Sequence, residues 1–328
     1  MKLQKKIVTN KNLSKLNSLQ IGVKAKYFIE CKTDADLEIA FNFIKTNKIK
    51  FLILGDGTNI VFKEPYKGLV IKNGFKKEKK IIKNKVKVSS GYNWDRFVSF
   101  CIENSLYGLE NLSGIPGTVG AGPIQNIGAY GEEISDYIDH IEVYNFKTGN
   151  IEILNKMNCS FDYRNSLFKK NKHLFIKNIF FKLKSEFIAN NSYQDLQVYK
   201  FKKATEIRKS ILKIRNQKLE NYLTKPNVGS FFKNPLIKKK DLKKLLSHEA
   251  DLKFYNHNSL IKVSAAWLIE KCNLKGFRVD KARVSKKHSL VLINEDKTPI
   301  SILKLKDKIK TNVFKKYNIK LEEEPTIV

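Results

Sequence analysis

A glycine-rich segment at residues 113–131 constrains the fold of this chain more than any other part of its sequence. It reads SGIPGTVGAGPIQNIGAYG, and six of the sixteen glycines fall within its last eighteen positions. Glycine allows positive φ and lets the backbone approach a ligand closely, because it has no Cβ. Consecutive N–H groups in such turns form concavities that suit an anion such as a pyrophosphate. Interspersed apolar residues indicate packing instead of a solvated loop: Ile115, Val119, Ile124, Ile127 and Tyr130.

Two common nucleotide-binding fingerprints are absent from the sequence. The pattern GxxxxGK[ST] does not occur, which excludes a P-loop. Gly55 and Gly57 could begin a GxGxxG motif, but the position of its third glycine is Ile60. A strand-like run also follows this turn, whereas the dinucleotide-binding fold needs a helix there. A dinucleotide, if bound, would require a different fold.

Hydrophobic periodicity predicts a mixed α+β chain. One helix is predicted after Thr33, where capping residues precede apolar residues at helical spacing, and a second begins near Asn93. Pro299 starts a final helix, because proline is favoured in a first helical turn. The other predicted helices lie at about 196–215 and at 265–269, and the predicted strands at 51–54, 60–62, 69–72, 81–88, 138–145, 151–155, 174–184 and 289–293.

The net charge of +31 suggests a nucleic acid, an anionic surface or an anionic ligand as partner. Only six of the 63 basic residues are arginine, however, and the lysines are spread along the whole chain. Proteins that read nucleic acids rely on arginine for bidentate contacts to phosphate and guanine. We therefore expect no nucleic acid as partner. We interpret most of the lysines as solvent-exposed residues whose abundance reflects a genome biased toward A and T codons. A basic nucleic-acid-binding protein remains an alternative interpretation.

The sequence contains no apolar run of the length, about 18 residues, that a membrane span needs. Its first residues are basic, but no apolar export-signal core follows them, so we expect a cytoplasmic protein. The four cysteines form no CxxC pair and have no histidine at zinc spacing, so we predict free thiols and no metal site. They are Cys31, Cys101, Cys159 and Cys272.

Four motifs resemble the successive signatures of the UDP-N-acetylenolpyruvoylglucosamine reductase family. They are LGDGTNIVF at 54–62, GLENLSGIPGTVGAGPIQNIGAYG at 108–131, YRNSLFK at 163–169 and GSFFKNP at 229–235. The motifs occur in family order, and the similarity runs over nearly the whole chain. The resemblance implies NADPH-driven, FAD-dependent reduction of UDP-N-acetylglucosamine enolpyruvate to UDP-N-acetylmuramate for peptidoglycan synthesis. It also implies the subtype whose tyrosine loop closes over the substrate.

The family's fold is an FAD-binding fold of the vanillyl-alcohol-oxidase type with a third, substrate-binding α+β domain. The resemblance therefore implies FAD-binding subdomains at 1–66 and 67–217, a substrate domain at 218–319, and a tail at 320–328 that returns to the active-site cleft. In such a fold the first glycine turn and the long glycine segment hold FAD. The implied cofactor contacts are Gly55, Gly57, Thr58, Asn59, Gly117, Gly120, Gln125, Asn126, Gly128 and Tyr130. Thr58 stands where the family often has serine.

Three residues match the family's catalytic positions. NADPH reduces FAD and leaves, and hydride then passes from flavin N5 to the substrate, producing an enolate. Ser230 matches the proton donor, and Arg164 matches the arginine that stabilises the enolate and its carboxylate. Glu324 matches the second glutamate of a Leu-Glu-x-Glu pattern near the C-terminus, with Glu322 as the alternative register. The chain departs from the family after this pattern, where Pro325 and Thr326 replace a hydrophobic and a basic residue.

The resemblance also implies substrate contacts from four residues: Tyr193, Arg215, Lys218 and Asn234. A packed aromatic ring is the structural alternative for Tyr193, and ordinary surface charge is the alternative for Lys218. Two other interpretations of the whole chain stay open. One is an FAD-dependent oxidase of the same superfamily acting on another alcohol or sugar, and the other is an inactive relic of the reductase. We expect a monomer whose partners are the UDP-sugar and NADPH.

Overall fold

The computed structural model describes residues 6–76 and 79–328. These residues gather into two compact units, each built from segments that are distant in the sequence. Unit one contains the described residues up to Lys11, with Lys24–Asp56 and Tyr66–Arg215. Unit two contains Asn12–Val23, Gly57–Pro65 and Asn216–Val328. The three-domain division expected from the sequence remains a prediction.

The described residues form the following helices and strands. The strands are β1 Val8–Asn12, β2 Lys24–Cys31, β3 Phe51–Leu54, β4 Ile60–Val61, β5 Tyr66–Asn73, β6 Lys79–Ile82, β7 Lys85–Ser89, β8 Gly128–Ala129, β9 Glu132–Glu133, β10 Ile138–Asn145, β11 Asn150–Asn155, β12 Leu174–Lys182, β13 Leu236–Lys238, β14 Phe254–His257, β15 Leu260–Val263, β16 Arg278–Val279, β17 Ala282–Val284, β18 Leu292–Asn294 and β19 Thr326–Ile327. The α-helices are α1 Asp34–Asn47, α2 Trp94–Glu103, α3 Leu167–Lys170, α4 Ala204–Lys218, α5 Lys239–Leu246, α6 Ala265–Lys271 and α7 Pro299–Tyr317.

Unit one contains a small, mostly parallel sheet in the order β1-β2-β5-β3. Helix α1 connects β2 to β3, which run parallel on either side of β5, and parallel strands of one sheet need such a crossover connection. A capping box fixes its start, because Thr33 Oγ1 accepts from the Asp36 N–H and the Asp36 carboxylate accepts from the Thr33 N–H. Leu37 and Ala40 of the helix are fully buried, as is Ile71 of β5. The carboxyl end of β3 leads directly into the first glycine turn.

The second sheet of unit one is antiparallel, in the order β11-β10-β12-β7-β6. Side chains alternate between its two faces, so one face collects apolar residues. This face joins the core that includes Trp94, Phe97 and Val98 of α2. Its fully buried residues include Val86, Val88, Ile141, Val143, Ile179 and Phe181.

Unit two contains two three-stranded sheets, β13-β15-β14 and β16-β17-β18, and the parallel pair β4–β19. Helix α7 lies against the β16-β17-β18 sheet and buries one stripe at helical spacing: Ile302, Leu305, Ile309 and Val313. In the described ranges, no helix is both long and apolar enough to cross a membrane. All four cysteines are free thiols; Cys31, Cys101 and Cys159 are buried and Cys272 is half-buried, and burial raises the pKa of Cys159 to about 11.

The predicted starts of α1, α2 and α7 and the span of β10 are confirmed. The prediction of one strand at 81–88 is wrong, because Lys83 adopts φ 54° and turns the chain between β6 and β7. The helix predicted from 196 begins only at Ala204, since Leu196 belongs to a loop that packs on that helix. The strand predicted at 289–293 is β18, which begins at Leu292.

Candidate active site

A buried lysine fixes the beginning of the first glycine turn. Lys72, at the carboxyl end of β5, donates from Nζ to the Gly55 carbonyl at 2.5 Å and to Asp56 Oδ1 at 2.8 Å. Its exposed fraction is only 8%, so these partners satisfy a charge that burial would otherwise destabilise. The sequence analysis did not single out Lys72. The sequence does contain a signal that could have drawn attention to Lys72, because this lysine directly follows the apolar run of β5.

Gly57, in unit two, occupies a position that only glycine fits. Its φ is +65°, and a Cβ at this site would lie 2.0 Å from the carbonyl oxygen of Leu16. The Gly57 carbonyl accepts a hydrogen bond from the Ser18 N–H at 3.0 Å. Backbone atoms of the segment Asn12–Val23 therefore enclose this part of the turn.

The long glycine segment is folded against the start of α2 and the end of β7, as its apolar residues predicted. The Gly117 carbonyl accepts from the Trp94 N–H at 3.0 Å, and the Gly120 N–H donates to the Ser90 carbonyl at 2.7 Å. A Cβ on Gly120 would lie 2.5 Å from Ser90 Cβ, so the two backbones can approach only because Gly120 is glycine. Val119 is fully buried. The segment is thus packed into unit one.

The two glycine regions meet within unit one. A Cβ on Gly55 would lie 3.1 Å from Thr118 Oγ1 and 3.7 Å from the side chain of Ala121. Thr118 Oγ1 is buried, and it has no hydrogen-bond partner among the residues that the structure describes. A buried hydroxyl normally has a partner. A glycine turn that faces an unsatisfied hydroxyl of the long glycine segment fits a ligand that carries polar groups, such as a dinucleotide pyrophosphate.

Arg164 contacts the glycine segment directly. Its Nη2 donates to the Gly128 carbonyl at 2.8 Å, and its own carbonyl accepts from Lys169 Nζ at 2.8 Å. The backbone at Arg164 has φ 50°, an uncommon value for a side-chain-bearing residue. Asp162 and Asn165 bridge this tight turn by reciprocal backbone hydrogen bonds. The guanidinium is therefore held by a strained turn beside one of the predicted cofactor-binding glycines.

Two predicted cofactor contacts have structural partners in the protein. Asn126 is buried, donates to Glu133 Oε2 at 2.7 Å and accepts from the Ser135 N–H at 3.1 Å. Tyr130 and Arg215 are close enough to interact electrostatically, and burial lowers the pKa of the Arg215 guanidinium while Tyr130 and Asp95 oppose the shift. The assignments of Asn126 and Tyr130 to FAD, and of Arg215 to substrate, stay predictions.

Asp95 connects the glycine segment to helix α4. Its carboxylate accepts from Arg208 Nη1 at 2.6 Å and Nη2 at 2.8 Å, and from the Gly114 N–H at 2.6 Å. Burial alone would raise the pKa of Asp95, but these hydrogen bonds outweigh it and the pKa lies below its ordinary value. Asp95 therefore orders the first turn of the glycine segment in its ionised form.

We expect Asp95→Asn to lower the free energy of unfolding at pH 7 by about 1–2 kcal/mol, because it leaves Arg208 without its carboxylate. A depressed pKa stabilises the fold above the ordinary aspartate value, and this contribution is lost as pH falls toward the folded-state pKa. The difference in the free energy of unfolding between Asp95→Asn and the unsubstituted protein should therefore shrink below about pH 4. Urea unfolding at pH 7 and pH 3.5 tests this, with the exposed Asp307→Asn as control. An equal difference at both pH values would contradict it.

Ser230 and Glu324 lie on neighbouring extended segments of unit two. Ser230 follows Gly229, whose φ is +71°, and forms an isolated bridge with Val291. The Phe231 N–H donates to the Leu290 carbonyl at 2.8 Å, and the Phe231 carbonyl accepts from the Glu324 N–H at 2.9 Å. The segment that carries Ser230 is thus fixed on both sides by backbone hydrogen bonds.

The two glutamates that precede Glu324, Glu322 and Glu323, each form an ion pair with a lysine. Glu322 lies on the exposed side and pairs with Lys233 at 3.1 Å, whereas Glu323 pairs with Lys310 at 2.8 Å. Burial would raise the pKa of Glu323, but its hydrogen bond from Lys310 and the charge of Lys306 lower it. Glu322 and Glu323 are therefore held in two separate ion pairs on either side of the Glu323 backbone bridge to Phe232.

The C-terminal residues run beside the first glycine turn. Asn59 Nδ2 donates to the Glu324 carbonyl at 3.5 Å, and the Asn59 carbonyl accepts from the Thr326 N–H at 3.1 Å. Thr326 and Ile327 then pair in parallel with β4. Thr326, which departs from the family pattern, is accommodated as a strand residue, and Pro325 before it is buried.

The remaining predicted residues fall in both units. Tyr193 lies in unit one, and its ring contacts Tyr130 edge to face with 5.3 Å between centroids. Lys218 is the last residue of α4, is exposed, and lies in unit two. Asn234 accepts at Oδ1 from the Ala265 N–H at 2.9 Å, so it also joins the start of α6.

Comparison with known proteins identifies both parts of the chain. Residues 217–328 match the family model "UDP-N-acetylenolpyruvoylglucosamine reductase, C-terminal domain", and residues 25–155 match "FAD binding domain". A reductase of this name from Buchnera aphidicola subsp. Baizongia pistaciae is 39% identical over 327 residues, covering 97% of this chain and 98% of that protein. The chain belongs to the UDP-N-acetylenolpyruvoylglucosamine reductase family. A relative from Pseudoalteromonas translucida is 38% identical and covers 87% of this chain and 88% of its own length.

Family membership makes the chain an oxidoreductase with an FAD-binding domain, and FAD and NADPH are the cofactors of the UDP-N-acetylenolpyruvoylglucosamine reductase family. The crystal structure of the reductase from Thermus caldophilus shares the fold, with a TM-score of 0.70 at 21% identity, covering 98% of this chain and 97% of that one. The expected α+β fold with a vanillyl-alcohol-oxidase-type FAD-binding part is thereby confirmed.

Proposed function

We propose that this chain catalyses NADPH-driven reduction of UDP-N-acetylglucosamine enolpyruvate to UDP-N-acetylmuramate in peptidoglycan precursor synthesis. The observation that carries the proposal is the adjacency of Ser230 and Glu324, where the Glu324 N–H donates to the carbonyl of the residue after Ser230 at 2.9 Å. A hydroxyl and a carboxylate from distant parts of the sequence are thus brought onto neighbouring segments. The names of the curated relatives support the same reaction.

The chain's glycine regions would hold FAD. The turn with Gly55, Gly57, Thr58 and Asn59 and the segment at 117–130 would contact it, and the unsatisfied Thr118 hydroxyl that faces Gly55 supports this assignment. When bound and reduced by NADPH, FAD supplies the hydride, from N5, that the terminal enolpyruvyl carbon accepts. The protein's own contribution is orientation and electrostatic stabilisation.

Three side chains would handle the charge that develops on the substrate. Addition of hydride leaves an enolate on the neighbouring carbon and its carboxylate, and this charge must be stabilised and then neutralised. Ser230 holds the proton that the enolate carbon takes. Arg164 stabilises the carboxylate, because its planar guanidinium can donate two parallel hydrogen bonds. Glu324 polarises the enol system together with Arg164.

We assign the carboxylate role to Glu324 instead of Glu322. Two observations support this register. Glu322 is exposed and ion-pairs with Lys233, three residues along the chain from Ser230. Glu324 is the glutamate whose backbone bonds to Phe231, the residue next to Ser230. In the same proposal Tyr193 belongs to a loop that closes over the UDP-sugar, and Arg215, Lys218 and Asn234 contact its phosphates or sugar.

Anaerobic absorption spectroscopy of the purified protein tests the proposed reaction. A flavin spectrum should bleach with NADPH and return when UDP-N-acetylglucosamine enolpyruvate is added. Oxidised flavin that returns only with oxygen or another acceptor would instead indicate a different flavin-dependent oxidoreductase. A protein that shows no flavin spectrum even after mixing with FAD would overturn the proposal.

Arg164→Met should lower the rate of flavin reoxidation by the enolpyruvyl substrate by about 10²–10³-fold, the usual cost of losing one stabilising donor. Arg164→Lys should recover part of the rate, because it restores the charge but not the paired donors. Stopped-flow traces of prereduced enzyme mixed with substrate give this rate. Equal rates in the two variants would show that the guanidinium geometry has no role.

Under this proposal the protein is a cytoplasmic monomer whose partners are the UDP-sugar and NADPH, with no nucleic acid. The nucleotide nature of both small molecules supports that location. Light scattering that gives the mass of two or more chains would contradict the monomer. Binding of random duplex DNA at physiological salt would contradict the exclusion of nucleic acid.

A further inference from the structure

The loop that carries Tyr193 has a packed core of its own. It spans residues 183–203, between β12 and α4. Leu196 is fully buried and contacts Ile207 and Ile211 of α4. Partly buried side chains complete this cluster: Tyr130, Phe187, Ala189, Phe201 and Ile214. The loop is therefore packed against unit one, and Tyr130 of the glycine segment belongs to the hydrophobic cluster that holds it.

One buried side chain joins this loop to the glycine segment. Asn111, only 2% exposed, lies in the short 3₁₀ turn Glu110–Leu112. Its Nδ2 donates to the Tyr130 carbonyl at 2.7 Å and to the Asn190 carbonyl at 2.8 Å. An amide nitrogen carries two hydrogens, so both bonds can form at once. The two carbonyls belong to segments 60 residues apart, and Asn111 holds them side by side.

Side chains around Asn190 strengthen the same junction. Asn190 Nδ2 donates to Glu132 Oε1 at 2.7 Å, and Asn190 Oδ1 accepts from Ser192 Oγ at 2.7 Å. Gly131, at φ +86°, leaves room for this approach, because a Cβ there would lie 2.9 Å from Ser192 Oγ. Tyr193 follows directly and contacts the Tyr130 ring. The position of Tyr193 is therefore set by bonds that converge on Asn190.

We propose that Asn111 is a positioning residue that keeps the Tyr193 loop docked on Tyr130 and so prepares Tyr193 to contact the UDP-sugar. The inference rests on the proposed substrate role of Tyr193. A docked loop loses less freedom when substrate binds, so a larger docked fraction lowers the apparent dissociation constant in proportion. Asn111 does not touch the reacting atoms in this proposal and acts through Tyr193.

Asn111→Asp provides the first test, since it keeps the shape of the side chain but removes both donors. It also sets a carboxylate oxygen against two carbonyl oxygens. We expect the KM for UDP-N-acetylglucosamine enolpyruvate to rise about tenfold, the effect of losing buried hydrogen bonds. The flavin content and the rate of flavin reduction by NADPH should stay within about twofold of the unsubstituted enzyme. Asn104→Asp, at an exposed asparagine that also donates to a backbone carbonyl, is the matched control.

A double-mutant cycle separates a positioning role from a general structural one. In a Tyr193→Ala background, Asn111→Asp should raise KM by less than about twofold, because the side chain through which it acts is gone. A full tenfold effect in that background, or no effect of Asn111→Asp alone, would overturn the proposal. If Tyr193→Ala itself leaves KM unchanged, the substrate role of Tyr193 fails, and the docking is judged by the measurement below.

Limited trypsin digestion measures docking without activity, on the flavin-containing protein. Lys200, Lys202 and Lys203 are exposed at the end of the loop. Asn111→Asp should speed cleavage there about tenfold. Asn190→Ala, which removes the side-chain bonds of Asn190 to Glu132 and Ser192, should have the same effect. Mass spectrometry identifies the cut sites. Cleavage of both variants at the unsubstituted rate would show that Asn111 does not hold the loop.

Discussion

Ser230→Ala should reduce the oxidation of prereduced flavin by UDP-N-acetylglucosamine enolpyruvate by about 10³-fold, within the range for a lost general acid. The reduction of flavin by NADPH should be unchanged, because the proposed proton transfer belongs only to the second half-reaction. The two rates are measured separately by stopped-flow absorbance under anaerobic conditions.

The position of Ser230 allows its hydroxyl to be removed without breaking the backbone hydrogen bonds that hold its segment. The segment is fixed by backbone bonds from Phe231 to Leu290 and from Glu324 to Phe231, which the alanine side chain leaves intact. Ser247→Ala, at an exposed hydroxyl directly after α5, is a suitable control. Equal loss of both half-reactions would contradict the assigned role and indicate instead that Ser230 supports the cofactor site.

Gly57→Ala should destabilise the protein by about 3 kcal/mol or more and yield a protein purified largely without flavin. Two effects add: an alanine at φ +65° is strained by about 1–2 kcal/mol, and its Cβ would lie 2.0 Å from the Leu16 carbonyl oxygen. Relief requires the backbone of the turn or of the segment Asn12–Val23 to move, which displaces Thr58 and Asn59.

Urea unfolding and the ratio of flavin to protein absorbance measure the two consequences. Gly22→Ala is the matched control, because a Cβ there meets nothing within 4 Å. If Gly57→Ala retains full flavin with only a stability loss, the turn is structural and the predicted cofactor contact at Gly57 is wrong.

Local patterns allowed much of the fold to be predicted from the sequence. Thr33 and Asp36 form the capping box that starts α1, and Asn93 caps α2, so both helix starts follow from short-range chemistry. The apolar residues of the glycine segment correctly indicated a packed structure. The turn at Lys83 was not predictable by the same means, because a lysine with positive φ has no sequence signature.

Much less of the candidate site follows from local sequence. The hydrogen bonds of Lys72 to Gly55 and of Asn111 to Asn190 join positions 17 and 79 residues apart. The hydrophobic periodicity of the sequence does not predict such long-range pairs. The motif resemblance indicated which residues to examine, but it did not show that Asn126 and Tyr130 have partners within the protein. Long-range hydrogen bonds of this kind become visible only in three dimensions.

The pairing of β4 with β19 has a consequence for the order of events during synthesis. Asn59 and its partner Glu324 are 265 residues apart, so at typical elongation rates β4 leaves the ribosome roughly ten to fifty seconds before its partner exists. The earliest segment of unit two, Asn12–Val23, waits slightly longer, because the Leu19 carbonyl accepts from Asn294 Nδ2, 275 residues later in the chain. The turn that carries Thr58 and Asn59 therefore gains its C-terminal partners only late in synthesis, and a chaperone that shields exposed strands would act on β4 during that interval.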